Sequence, residues 1–429
     1  MAETTQYANS SAGEAERAAH RGLDWLNLYV ANIQTGFGPF IAVYLTSRGW
    51  TQTAIGVALS IGTITAMASQ VPAGAVVDAS RSKVAVAGIS VLAFTISALM
   101  FALWPIQLFV YLAEVLHGFS SCTLGPAIAA LSLGLAGSAA MGMRLGRNAR
   151  FASIGNGVGA ALMGACGSLF NERAVFFLTA ALTLPAFFAL LPLRRYSRVA
   201  PPPPPPEASP GGGWWVMLDR RLLLFSFCAM LFTFANAPLL PLAAAGLTAR
   251  VGHLASLLIG LCIVLPQGLV ALGSPWVGRL ADSHGRRPLL ALGCLMLPLR
   301  AVAFAASGDP AVVLAVQLLD GIAAACFGIM VPLITSDIAG RSGHYNLALG
   351  TVGFAIGVGA TLSTAAAGWV ADQFGHAMAF LDLGAIGLAA TLAALGLVPE
   401  TRPAAGRSGK AGSVAHHHLD RAATLQHRH

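Results

Sequence analysis

The chain is predicted to be an all-α integral membrane protein of twelve spanning helices in two related halves of six, and three observations predict it. Of 429 residues, 56% are hydrophobic and only 10% charged, with a mean hydropathy of +0.71, too few polar groups to coat a water-soluble core of that size. About twelve apolar segments reach the roughly 20 residues that a helix needs to cross a bilayer. With loops assigned to alternate sides, 21 Lys and Arg fall on one side and only Arg48, Arg173 and Arg250 on the other, with Arg300 inside a helix. The positive-inside rule puts that basic side, with both termini, in the cytoplasm. The net charge of +8 is thus topogenic, and no nucleic-acid partner is expected.

A polar tail (1–22) leads into the first bundle (23–193). Its first span, 23–46, carries Asp24, Asn27, Gln34 and Gly38 on one face at helical spacing, a polar stripe that points inward in a membrane helix. The second, 53–77, ends in the charged turn 78–83, and the third covers 84–104. The fourth starts near 106 and contains Glu114, His117, Gly118, Gly125 and Pro126; a small-residue stretch then precedes Arg144, Arg147 and Arg150. The fifth, 148–170, is dominated by Gly155, Gly157, Gly159, Gly164 and Gly167, which permit close helix approach. The sixth covers 174–193.

From 194 to 221 the composition shifts to paired arginines, a proline run at 201–206 and glycines at 211–213, which read as a linker with extended polyproline. The second bundle (222–398) holds spans at 222–246, 254–277, 289–306, 311–334, 347–370 and 377–398. A tail (399–429) carries His416, His417, His418, His427 and His429. Trp25, Trp50, Trp104, Trp214, Trp215, Trp276 and Trp369 fall near span ends, as an interfacial belt requires. The six cysteines lie within spans without a CxxC spacing, so neither a disulfide framework nor a zinc site is indicated. No cleaved signal peptide is evident.

Two landmarks indicate a duplicated six-helix unit. Glu114-Val-Leu-His117-Gly118, with Gly125 seven residues on, is matched 203 residues later by Gln317-Leu-Leu-Asp320-Gly321, with Gly328 seven on. Gly74 with Asp78 four later is matched 204 residues on by Gly278 with Asp282.

The charged turn that begins at Gly278 carries the most specific motif. It resembles the signature loop between the second and third helices of the major facilitator superfamily of secondary transporters, often echoed between the eighth and ninth: Gly278, Leu280, Asp282, Gly285, Arg286 and Arg287 fill its positions. The first-half copy is degenerate, since Gly74, Asp78 and Lys83 fit but Arg81 stands at the second glycine and Ser82 at a basic position. Pro399-Glu400-Thr401-Arg402 is similar to an ending common in that family. The resemblance covers about 23 to 402. It implies two bundles around a central cavity, lined by the first, fourth, seventh and tenth helices, and alternating access without a cofactor. Two departures concern the subfamily: Glu114 stands where proton-coupled drug exporters often place an Arg, and the fifth span lacks their Gly-Pro pair.

The residues suggest roles. Asp282, at a helix end, can accept hydrogen bonds from amides at a neighbouring helix N-terminus and pair with an arginine, while Arg286 and Arg287 hold the loop at the anionic inner leaflet. Gly278, Asp282, Gly285, Arg286, Arg287 and Asp78 are therefore the candidate conformational latch. Ionisable groups within a span cost a few kcal/mol unless they face a cavity or a partner, which singles out Glu114, Arg300, Asp320 and Asp382. In the family arrangement Glu114 and Asp320 face one another across the substrate path. A carboxyl group in low dielectric holds its proton and releases it when solvated, so both are candidate proton carriers, with His117 as relay or substrate contact. Arg300 can bridge to Asp320 or Asp382, or bind an anionic substrate; Gln34, Asn156, Asn236 and Gln267 offer hydrogen bonds to the cavity.

The expected function is secondary active transport by alternating access: proton-coupled export of a small organic compound across the inner membrane by a monomer. No enzyme is expected, since no nucleophile with base, metal-ligand cluster or GxxxxGK[ST] motif is present. The alternatives are a nickel- or zinc-type transporter served by the histidine tail, a metabolite transporter, and a non-transporting sensor.

Overall fold

The computed structural model describes residues 2–37, 39–50, 52–137, 140–199, 213–243, 255–340 and 342–402, and no strand occurs among them. In the first half α1 (Ala2–Phe37) and α2 (Pro39–Ser47) together make the first span, followed by α3 (Gln52–Ala79), α4 (Lys83–Leu103), α5 (Gln107–Ala136), α6 (Met141–Leu169) and α7 (Glu172–Val199). A 3-10 turn at Gly213–Leu218 opens the second half, which continues as α8 (Arg220–Asn236), α9 (Ala255–His284), α10 (Arg287–Ala306), α11 (Pro310–Ala339), α12 (Tyr345–Phe374) and α13 (His376–Gly396). Ten of these helices are long and apolar enough to cross a membrane. The other two spans, α1–α2 and α6, carry their own polar groups; α6 opens with Arg144, Arg147 and Arg150 and is glycine-rich beyond. Helices satisfy their own backbone groups in lipid, and the large apolar side chains left exposed, such as Ile89, Phe188, Leu272 and Leu392, supply the lipid-facing coat.

Three boundaries differ from expectation. Helix α1 runs unbroken from Ala2 through the segment expected to be a tail. Helix α7 continues to Val199, inside the expected linker. Helix α6 begins seven residues early, at Met141, so Arg144 and Arg147 are helical rather than loop charges. The reason is that Asp24 of α1 neutralises them: Arg144 is buried in an ion pair with it and Arg147 makes a second. The polyproline run and the histidine tail lie outside the described residues.

Each half has its own core. Phe37, Tyr44, Phe94, Phe101 and Phe176 anchor the first, with Phe101 stacked on Phe176 at 5.0 Å and the Tyr44 hydroxyl donating to the Phe101 carbonyl at 3.0 Å. In the second half, Phe225, Phe232, Leu290 and Leu333 share a cluster with Met141 and Leu145 of α6, so the foot of a first-half helix is seated in the second half's core. The first glycine of that repeated landmark is a contact point: a Cβ on Gly118 would lie 2.6 Å from the Gly62 carbonyl of α3, and one on Gly321 would lie 2.8 Å from Leu269 of α9. The same pair of helices packs through the same glycine in both halves.

The motif loop explains its own sequence. Gly285 takes φ +109°, a backbone that favours glycine, and a Cβ there would lie 2.5 Å from Glu400 Oε2. Glu400 caps α10, accepting from the Arg286 amide at 2.8 Å and the Arg287 amide at 3.2 Å. Arg286 does not reach the leaflet as expected. It is 1% exposed, with Nε 3.0 Å from Asp337 and Nη1 donating to the Ala281 carbonyl, because Asp337 and Asp282 draw it inward. The first-half copy is built otherwise: the Ser82 hydroxyl caps α4 by accepting from Ala85 at 3.2 Å, and Lys83 donates to the Asp78 and Ser80 carbonyls. Positive φ is confined to glycines among the described residues, so Arg81 fits that loop without strain.

Burial raises the proton affinity of the Glu400 carboxyl, but the amides of Arg286, Arg402 and Arg287 and the Arg286 charge outweigh it, leaving its pKa below the ordinary 4.5. A depressed pKa means the cap is fully stabilising above that value and fades as pH falls through the lowered one. The thermal midpoint of Glu400→Gln should therefore lie below wild type at pH 6, with the gap closing toward pH 3. A gap independent of pH would show that the carboxylate charge contributes nothing.

Candidate substrate cavity and cross-half gate

A cavity of about 450 Å³ lies between the halves, walled by α1, α3, α5 and α6 on one side and by α11 and α12 on the other. Its polar groups all come from the first half: Asn27, Gln34, Gln70, Ser121 and Asn148. The second half contributes an apolar wall of Gly328, Val331, Pro332, Leu349 and Gly353, and no charged residue is among the described residues that line the space. The helical period aligns these positions: Gln34 is seven residues, two turns, from Asn27 on α1, and Gly328 carries the repeat spacing already seen in Gly125, which also lines the cavity.

Two carboxylates at helix ends join the halves at their basic ends. Asp282 of α9 accepts from the Met143 amide at 2.9 Å, at the N-terminus of α6. Asp78 of α3 accepts from the Asn346 and Leu347 amides at 3.1 and 2.7 Å and from Asn346 Nδ2 at 2.6 Å, at the N-terminus of α12. Each places negative charge where helix amides are unpaired. The backbones touch beside both caps. A Cβ on Gly278 would lie 2.2 Å from the Gly142 carbonyl, and one on Gly74 would lie 2.0 Å from the Asn346 carbonyl; one on Gly146 would meet Ser274 O at 2.4 Å and one on Gly350 would meet Gln70 O at 2.3 Å. Asp78 and Asp282, Gly74 and Gly278, Gly146 and Gly350, and Gln70 and Ser274 are each 204 residues apart. This cross-half junction therefore obeys the duplication, with the halves exchanging caps.

Behind the first-half wall lies a network that sequence reasoning missed. Asp24 accepts from Arg147 Nε at 2.9 Å and Nη2 at 2.5 Å, and pairs with Arg144, whose Nε donates to Asn148 Oδ1 at 2.9 Å; Asn148 Nδ2 then donates to Ser132 at 2.6 Å. It links α1, α6 and α5 and fixes Asn148 in the lining. The signal was present in the spacing of Arg144, Arg147 and Asn148, at i, i+3 and i+4 on one helix face, with a lone acid, Asp24, in the polar stripe of the first span.

The candidate proton groups are placed separately rather than across the cavity. Glu114 is 2% exposed and sits between α5 and α3, in space left by the missing side chain of Gly62. Its Oε2 is 3.5 Å from His117 Nδ1, while Oε1 has no hydrogen-bond partner. Phe37 stacks on the His117 imidazole at 4.4 Å. In the second half Arg300, 1% exposed, binds Asp320 at 2.5 Å, Asn236 Oδ1 at 2.5 Å and Gln317 Oε1 at 3.1 Å. Asp382, the other partner considered for Arg300, is exposed on α13. Glu114, His117, Arg300 and Asp320 are not among the cavity-lining residues. Of the uncharged candidates Gln34 lines the cavity, Asn156 accepts from Thr35 at 3.3 Å, Asn236 serves Arg300, and Gln267 is half-buried on α9 outside the lining.

Comparison with known proteins decides the family. A sequence profile of the Major Facilitator Superfamily matches residues 26–265 and again 222–426. The chain belongs to the major facilitator superfamily. An uncharacterized MFS-type transporter of Mycobacterium tuberculosis is 33% identical over 391 residues, 89% of this chain and 93% of the relative. A multi-drug resistance efflux pump homologue of Lactococcus lactis subsp. lactis is 33% identical over 168 residues, 38% of this chain and 40% of the relative. The proton:xylose symporter XylE, bound to 6-bromo-6-deoxy-D-glucose, has the same fold, with a TM-score of 0.68 at 15% identity over 92% of this chain and 98% of XylE. The protein is thus a multi-pass membrane transporter of the superfamily, and no catalytic family is indicated.

Proposed function

We propose that the protein exports small organic compounds across the inner membrane in exchange for protons, by alternating access, with both termini in the cytoplasm. The observation that carries alternating access is the pair of repeat-related caps, Asp78 on α12 and Asp282 on α6. They end helices rather than run through them, so the halves can part without breaking helical hydrogen bonds. With the basic side in the cytoplasm, the described state is closed inward. Gly278 and Asp282 are the moving contact, and Gly285, Arg286 and Arg287 keep the α9–α10 loop shaped to present it.

Proton coupling rests on Glu114, which is buried, has one oxygen without a partner and has His117 one turn away. It lies seven residues along α5 from Ser121 of the cavity wall, roughly 10 Å of helix axis, close enough for its solvation to change when the halves rock. Asp320, paired with Arg300, is the second carrier candidate. Export of an organic cargo is supported by the partial likeness to the Lactococcus efflux pump homologue and by a cavity free of charged lining.

Reconstituted vesicles tested with a panel of amphiphilic dyes, ethidium included, check this directly. An imposed pH gradient should accelerate dye movement by wild type, and Glu114→Gln should keep dye exchange driven by the dye's own concentration gradient while losing the response to the pH gradient. Full retention of that response ends the proton-carrier reading; no flux of any dye would favour a sensor.

A further inference from the structure

We propose that the junction of α1, α6 and α7 on the basic side binds one anionic phospholipid, its phosphate held by Arg17, Arg21 and Arg147 and an acyl chain lodged between Trp25, Tyr29 and Phe188. Two hollows meet there. The first, about 810 Å³, is lined by Glu14, Arg17, Ala18, His20, Arg21 and Arg147. The second, about 430 Å³, is walled by Trp25 and Tyr29 of α1 and by Pro185, Phe188 and Pro192 of α7. Ala18 and Arg21 line both, so the charged hollow and the apolar one adjoin along α1.

The chemistry of each part is complementary to a lipid. Three guanidinium groups face one carboxylate in the first hollow. Arg17 and Arg21 lie one turn apart on the same face of α1 and are exposed, and neither has an ion-pair partner among the described residues. Arg147 spends Nε and Nη2 on Asp24, and no hydrogen bond occupies its Nη1 among the described residues. Guanidinium groups bind phosphate through paired N–H donors, and basic pockets between membrane helices on the cytoplasmic side suit anionic headgroups.

The apolar hollow says that the anion carries a chain. Trp25 is half-exposed and stacks on Tyr29 with ring centroids 5.9 Å apart, while Phe188 is 69% exposed. Helices α1 and α7 meet tightly at Gly22, where a Cβ would lie 2.8 Å from the Ala189 carbonyl, so the groove beside that contact has a backbone floor. Free phosphate would use only the upper hollow. Because Arg147 also binds Asp24, the bound lipid shares an arginine with the network that ties α1 to α6.

Native mass spectrometry of the full-length protein in detergent, titrated with phosphatidylglycerol or phosphatidylcholine, tests this. Wild type should prefer phosphatidylglycerol roughly tenfold for the first lipid bound, Arg17→Gln with Arg21→Gln should abolish the preference, and the corresponding double Lys variant should keep most of it. Excess inorganic phosphate should leave bound phosphatidylglycerol in place. Equal binding of the two lipids to wild type, an undiminished preference in the Gln variant, or displacement by phosphate overturns the proposal. The Lys variant serves as the folding control, since it keeps the charges at the same positions.

Discussion

Replacing Arg300 with Met will destabilise the folded protein by about 3–5 kcal/mol, and adding Asp320→Asn will recover most of that loss. Arg300 donates to residues of two other helices: Asn236 on α8, and Gln317 and Asp320 on α11. Removing it leaves the Asp320 carboxylate inside a membrane bundle without its counter-charge, the costliest way to break a buried pair. Asn236 and Gln317 lose their donor as well. The double variant removes the orphaned charge, so recovery separates the ion pair from packing. Unfolding in detergent, followed by helical signal against denaturant, gives the comparison; an Arg300→Met protein as stable as wild type would show that the ion pair contributes nothing to folding.

Gly278→Val will hold the halves apart at their basic ends. The added atoms meet the Gly142 carbonyl, which is backbone and cannot turn aside. Overpacking of this kind costs about 1–3 kcal/mol, enough to move a two-state balance by roughly five- to 150-fold. Gly273→Val on the same helix is the control, since nothing lies within 4 Å of a Cβ there. Spin labels on Arg81, in the α3–α4 loop, and Ser283, in the last turn of α9, both exposed, should report a longer distance in Gly278→Val and an unchanged one in Gly273→Val. Transport by Gly278→Val should fall in parallel, and an unaltered distance distribution would remove the gate from the mechanism.

What could be read in advance depended on how local the physics was. Span positions, the basic side and the Gly-Asp spacing of the two loops are set by neighbours a few residues away, so they were legible, and the 204-residue register of the gate was already visible in Gly74 and Gly278. The pairing of Asp24 with Arg144 joins residues 120 apart, and an arginine just before a span resembles an ordinary topogenic charge. The depth of Arg286 depended on Asp337, 51 residues on, and its loop on Glu400 at the far end of the chain. Glu114 was rightly singled out as a buried acid. Its direction, toward Gly62 instead of the cavity, depended on which helix supplied a missing side chain.

The foot of α6 carries a thermal consequence. Met141 and Leu145 are packed among second-half residues, so the proposed parting of the halves at the basic end would expose both to water. Wetting apolar surface raises heat capacity, so the enthalpy of that opening step grows with temperature. An Arrhenius plot of turnover limited by it will be curved, and Leu145→Ser, which has less apolar surface to wet, will straighten it.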